Sequence, residues 1–302
     1  MAPILNLHSS LCEAISPEFR ELTPDRSVFD AIPHFMQRVA PANTLSISLT
    51  DSLCEQRCAH CNGHYLKGMQ PFSQLAQRDL NRFDSVLISG GSSADGRVPI
   101  DRHIADILAL PDHLRLNLHT GYLSPEALAS LKPRNPVISF DLPTSDEVVK
   151  KVYGLNYSCE DFRNLYERYC AAFKTVAHVT LGLAPAGHEQ GEEETVEYLS
   201  RIQPAEVAFL VFRPTPGTRM ADVMPPSLAR VIPLLSKAIS ILDCPVQIGC
   251  MRPAGTYRRD FDILAWMHGC RKFVMPDHRL LQILEEHQVK VVTTHNCCAF
   301  AE

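Results

Sequence analysis

The chain has 302 residues, 45% of them hydrophobic and 21% charged, with a formal net charge of −5. That size supports a large core, and the acidic balance argues against nucleic acid as the main partner. No stretch approaches the ~20 apolar residues of a membrane span, and the start MAPILNLHSSLCEAI has neither a basic n-region nor a long apolar h-region, so no signal peptide and a cytoplasmic chain are expected.

Short apolar runs alternate with helical patterns. Strands are predicted at 45–50, 85–89, 114–119, 136–141, 177–182, 207–212, 245–249 and 272–276. Helices are predicted at about 101–110, 124–132, 159–174, 191–202, 226–243, 257–269 and 277–288. In the third of these, Phe162, Leu165, Tyr166, Tyr169, Cys170 and Phe173 form one stripe, with Ser158 as N-cap and Asp161 in capping-box position. Strands that are apolar on nearly every position and separated by helices imply a parallel sheet covered on both faces. Eight such units make an α/β fold, a TIM-type (β/α)8 barrel or a partly open one. The expected organisation is an N-terminal extension (1–44), the barrel (45–288) and a C-terminal tail (289–302). The site is expected at the C-terminal ends of the strands, where CEQRCAHC, SGGSSADG, HTGY, GLAPAGHEQGEE, RPTPGT and CMRPAG fall.

Eleven residues are cysteine, and stable disulfides are not expected in a reducing compartment. Metal or redox chemistry is the alternative, beside a role as small buried hydrophobes. Cys54, Cys58 and Cys61 follow the first predicted strand with the spacing C-x3-C-x2-C. A structural zinc site prefers four ligands in two short pairs, and only His60 or His64 is at hand to complete one. A redox pair of Cys58 and Cys61 calls for a thioredoxin-like fold, which eight strands do not suggest. Three thiolates hold three corners of a four-iron cluster and leave one iron open.

This loop after the first strand of an α/β barrel resembles the radical S-adenosylmethionine (SAM) superfamily. The resemblance implies a [4Fe-4S] cluster on Cys54, Cys58 and Cys61, SAM on the open iron, and a 5′-deoxyadenosyl radical that abstracts hydrogen from an unreactive C–H bond. It also implies that His60 packs near the adenine and that Ser89, Gly90 and Gly91 face the methionine amino group, with Ser92 where an acid is common. Ser139 and Asp141 become candidates for the ribose hydroxyls, although a strand-end cap explains Asp141 equally well. The stretch Gly182 to Thr195 becomes a candidate surface against the adenine. Arg252, in the loop after the seventh strand, is the candidate catalytic contact to the SAM carboxylate or the substrate.

Cys159, Cys170 and Cys244 lie in or beside helices and read as structural. Cys250 opens CMRPAG, and Cys297 and Cys298 are adjacent in a tail expected to fold back over the barrel mouth. An auxiliary [4Fe-4S] cluster is expected on Cys12, Cys250, Cys297 and Cys298, with Cys270 as substitute; separate inert thiols are the alternative. CAHCNGHYLKGM, SGGSSADGRVPI, GCMRPAGTYRRDFD and CCAF together resemble the biotin-synthase-related group that includes two-component lipoyl synthase. That resemblance implies sulfur insertion at C6 or C8 of an octanoyl group, with the auxiliary cluster as sulfur donor. The implied partners are an octanoylated lipoyl carrier protein, a second radical SAM subunit and an external electron donor. Arg252, Arg258, Arg259, Arg271 and Lys272 form a candidate docking patch for an acidic carrier, or simply a solvated helix face. Two other readings stand beside this one. The first is a one-cluster radical enzyme resembling the hydrogenase-maturation or amino-acid mutase type. The second is a non-catalytic metal-binding redox protein.

Overall fold

The structure, a computed structural model, describes residues 6–185 and 187–300. The first five residues of the leader reading, Ala186 of the glycine-rich stretch and the last two residues of the tail lie outside the described residues.

One parallel sheet organises the described residues. Its strands are β1 (Phe35–Val39), β2 (Thr44–Ser48), β3 (Gln70–Pro71), β4 (Ser85–Ser89), β5 (Arg115–His119), β6 (Val137–Asp141), β7 (Lys174–Leu181), β8 (Glu206–Val211), β9 (Val246–Ile248), β10 (Lys272–Val274) and β11 (Lys290–Thr294). Their order is β11-β1-β10-β9-β8-β7-β6-β5-β4-β2-β3, with every pairing parallel. The sheet is therefore an open TIM-type barrel, with β11 and β3 as unjoined edges. The hydrogen bond from Asn43 N to His295 O links its two ends.

All eight predicted strands are present, and three more join them. β1 and β11 come from the segments read as extensions, and β3 has two residues. β1 (FMQRV) and β11 (KVVTT) are half polar and partly exposed, so neither gives the continuous apolar run of a doubly covered strand. β1 is nonetheless interior, paired to both β10 and β11.

The α-helices are α1 (Leu7–Ala14), α2 (Arg26–Ala31), α3 (Ile104–Leu108), α4 (Cys159–Ala172), α5 (Gln190–Ile202), α6 (Leu228–Ile241), α7 (Thr256–Met267) and α8 (His278–Glu286), and the segment at Pro125–Arg134 is a 3-10 helix. α4 begins at the capping box of Ser158 and Asp161. It buries Phe162, Leu165, Tyr166 and Tyr169, and the rings of Phe162 and Tyr166 meet Phe140 of β6. Cys170, at the edge of that stripe, is exposed. Among the described residues, no helix is long and apolar enough to cross a membrane.

The N-terminal segment wraps the outside of the barrel. Leu7 and Leu11 of α1 are buried as α1 packs against α7 and α8, and Phe29 lies among His8, His34 and Trp266. The C-terminal segment does the opposite of what its sequence suggests. It closes the N-terminal end of the strands, not the mouth. Ala299 and Phe300 are buried against Val137, Val176 and Ala208, near the starts of β6, β7 and β8. The Arg115 guanidinium, at the start of β5, lies 4.1 Å from the Phe300 ring centroid. The Cys298 carbonyl accepts hydrogen bonds from Gln247 and Lys272. An apolar pair that fits the open bottom of the sheet draws the tail there.

Candidate functional site

The cysteine loop leaves β2 at its C-terminal end and is pinned to three other connections. Ala59 N donates to Val152 O and Gln56 Nε2 to Tyr153 O, both in the π-helical segment Val148–Tyr153 after β6. Met220 N donates to Ala59 O, and Tyr65 Oη lies 3.0 Å from Thr215 Oγ1, both in the connection after β8. The Ser92 carbonyl accepts from Glu55 N and Gln56 N. Loops so tied present their side chains in fixed directions.

Gly91 is required for this packing. A Cβ there would stand 1.8 Å from Leu53 O and 2.6 Å from Cys54 Cα. The glycine pair after β4 thus admits the cysteine loop itself, not only a ligand.

A cavity of about 620 Å³ occupies the barrel interior. Cys54, Cys58, His60 and Cys61 line one end, together with Ser89, Gly90, Gly91 and Ser92. Ligand atoms of Cys58, His60 and Cys61 lie within 4.8 Å of one another. The Cys58 thiol, hydrogen-bonded to Cys61, lowers the Cys61 pKa to about 4 against the opposing effect of burial, and His60 assists. Cys58 is driven upward by the same hydrogen bond and by burial. The hydrogen bond between them thus favours the ionised form of Cys61 over that of Cys58. His60 Nδ1 is buried without a hydrogen-bond partner. Cys54 lines the same cavity with its thiol directed at the Ser92 carbonyl 3.9 Å away, and three thiols on one loop are a donor set that suits a soft metal or an iron–sulfur cluster.

Cys250, Cys297 and Cys298 line the same cavity. Asn117 Nδ2 donates to Cys297 Sγ at 3.1 Å. The Cys298 thiol first, then the Ala299 N–H and the Asn117 amide, lower Cys297 to about 6, and Cys298 is raised in return. Burial raises Cys250, and the charge of Cys297 adds to that. The tail that seals the bottom thus offers its two thiols upward, near Cys250.

Two of the expected auxiliary ligands are elsewhere. Cys12 is on α1, outside the barrel, with its sulfur 3.6 Å from His8 Nδ1. Cys270 is buried between α7 and β10, with its thiol directed at the carbonyls of Val246 and Lys272. Neither lines the cavity.

Arg252 is corrected from catalytic contact to internal clamp. It is fully buried, and its whole donor set is used. Nε and one terminal nitrogen hold Asp262 at 2.7 and 2.8 Å, and the remaining bonds go to the carbonyls of Gly249, Val274 and Met275. No donor is left for a SAM carboxylate. The basic patch dissolves likewise. Lys272 is buried against Glu206 at 2.7 Å, Arg259 pairs with Asp260, Arg258 donates to the Arg252 carbonyl, and Arg271 donates to Pro33, Trp266 and Cys270 carbonyls. Proximity in sequence did not become a common surface, because each cation faces inward to a different partner.

Ser139 is also corrected. It is buried below the cavity with its hydroxyl donated to Asn117 Oδ1 at 2.9 Å, so the ribose contact is out of its reach. Among the described residues of the stretch from Gly182 to Thr195, none lines the cavity. Gly182 N donates to the buried Glu192, which pairs with Arg230, and a Cβ on Gly182 would strike Pro226. Its role is to let the chain leave β7 at positive φ.

Asp141 does face the cavity, with two residues that sequence reading passed over. His119 ends β5, Asp141 ends β6, and His178 lies directly across from Asp141 on β7. All three are ionisable residues among the leucines, valines and phenylalanine of their strands and face the cavity, which is the signal that singles them out. Burial works against ionisation of Asp141, but His178, His119 and His60 outweigh it and lower its pKa. Burial and then His178 lower His119 to about 4 from 6.5. An unfolded chain therefore takes up this proton near pH 6.5 and the folded chain only near 4, so stability is lost as pH falls through that window. Denaturation midpoints should fall more steeply across it for the wild type than for His119→Gln; parallel curves would refute the assignment.

No family model and no curated protein matches the chain. Solved structures do. A methylornithine synthase (PylB) superposes with a TM-score of 0.58 at 10% identity, covering 95% of this chain and 97% of that one. HydG, a maturase of the [FeFe]-hydrogenase, gives 0.61 at 11% identity over 97% of this chain and 75% of that one. An HMG-CoA lyase from Acenitobacter baumannii gives 0.50 at 11% identity, covering 90% of this chain and 88% of that one. At such identities these likenesses establish the fold, and one fold carries different activities.

Proposed function

We propose that this chain is a radical SAM enzyme, with its cluster held by Cys54, Cys58 and Cys61. The observation that carries this is the placement of Cys54, Cys58 and Cys61 along one large cavity, with the ligand atoms of Cys58 and Cys61 within 4.8 Å of each other, on a loop anchored to three connections. The fold shared with the methylornithine synthase and the hydrogenase maturase supports it. Bound there, a [4Fe-4S] cluster with SAM supplies a 5′-deoxyadenosyl radical for hydrogen abstraction. The chain's own part is to present the thiols of Cys54, Cys58 and Cys61, to seat the loop on Gly91, and to exclude water from the reacting carbon. His60, Ser89, Gly90 and Gly91 are the residues lining that end of the cavity for SAM.

The finer reading is sulfur insertion into an octanoyl chain on a lipoyl carrier protein. It is supported by Cys250, Cys297 and Cys298 at the same cavity, which are the proposed auxiliary-cluster ligands once Cys12 and Cys270 are removed. The cavity volume falls in the range of small-molecule sites. An external electron donor and a second radical SAM subunit complete the reading. Carrier docking would need a surface other than Arg252–Lys272. The polar wall of His119, Asp141 and His178 favours a second reading, a one-cluster enzyme acting on a polar substrate.

Anaerobically reconstituted and reduced protein should cleave SAM to methionine and 5′-deoxyadenosine. Absence of both products with the cluster intact would leave a non-catalytic metal protein.

A further inference from the structure

We propose that His119, Asp141 and His178 form a mononuclear site for Fe²⁺, on the cavity wall apart from the cysteine loop. The three residues end or cross adjacent strands, and their ligand atoms all lie within 4.8 Å of one another. The two imidazoles meet edge to face, with centroids 5.0 Å apart and planes at 66°, so they converge without stacking. His178 is only 7% exposed, yet its Nε2 has no hydrogen-bond partner and its Nδ1 stands 3.7 Å from Asp141 Oδ1, beyond hydrogen-bond range. A buried imidazole nitrogen without a partner is costly and uncommon. An ion shared with the adjacent carboxylate removes that cost.

Two histidines and one carboxylate are the donor set of non-haem Fe²⁺ sites, and nitrogen–oxygen ligation separates the site from the cysteines that line the same cavity. Three protein ligands leave positions open toward the cavity, where a carbonyl or carboxylate oxygen of a bound substrate would complete the shell. This gives Asp141 a duty other than ribose contact. The site does not depend on the radical SAM reading, since none of its ligands belongs to the cysteine loop.

The test uses Mn²⁺, which is visible by electron paramagnetic resonance and prefers nitrogen and oxygen over thiolate. The reconstituted chain, its iron content measured, is titrated with Mn²⁺. One ion per chain should bind. His119→Gln and His178→Gln should each weaken binding by more than ~10-fold, since even loss of an outer partner costs that much. Asp141→Asn, nearly isosteric, serves if a histidine variant fails to fold. Cys54/Cys58/Cys61→Ala should bind Mn²⁺ as the wild type does. No binding by a wild type with normal iron content overturns the site and leaves the radical reading intact. Binding unchanged in folded histidine variants, or lost with the cysteine loop, also overturns it.

Discussion

Replacing Arg252 by methionine is expected to destabilise the protein by about 3–5 kcal/mol, the cost of leaving a buried charge without its partner. Asp262 would then sit fully buried with only the Asp277 N–H bonded to it, and the carbonyls of Gly249, Val274 and Met275 would lose their donor. Burial already raises the Asp262 pKa despite the guanidinium beside it. Arg252→Lys should recover little, because an ammonium cannot bridge a carboxylate and three carbonyls in one plane. The double change Arg252→Met/Asp262→Leu should cost less than the two single changes summed, which urea unfolding of the four proteins measures. If Arg252→Met unfolds like the wild type, the clamp is not a stability element and Arg252 returns as a candidate ligand contact.

The Cys54/Cys58/Cys61→Ala variant should lose SAM cleavage entirely while keeping the fold, because the loop is held by backbone bonds from Ala59 and to Ser92 that survive the change. Its iron and sulfide content decides the finer reading. A cluster's four irons should remain if Cys250, Cys297 and Cys298 hold one, and these should vanish when those three are also changed to Ala. A variant with no sulfide and at most one iron removes the auxiliary cluster and the sulfur-insertion reading with it. Retention of sulfide, or of more than the one iron assigned to His119, Asp141 and His178, after all six changes would instead place a cluster ligand outside both cysteine groups. Changing Cys12 or Cys270 alone should leave the iron count as it was, since each lies in a packed environment away from the cavity.

The cysteine loop was legible because its spacing is local: three residues within eight need no tertiary contact to be recognised, and a continuous apolar run before them marks a covered strand. The eight predicted strands and the capping box of α4 were legible for the same reason, since period and capping act over a few residues. What depends on long-range placement was not. Arg252 sits in a loop that suggests a site contact, and only folding brings it to Asp262 and three carbonyls. The tail could close either end of an open barrel, and the apolar fit of Ala299 and Phe300 against the strand starts chose the bottom. His119, Asp141 and His178 are spread over three strands, and parallel register brought their ligand atoms together. Spacing along the chain determined which atoms are available for chemistry; burial and register, which act between distant segments, decided which of them face one cavity.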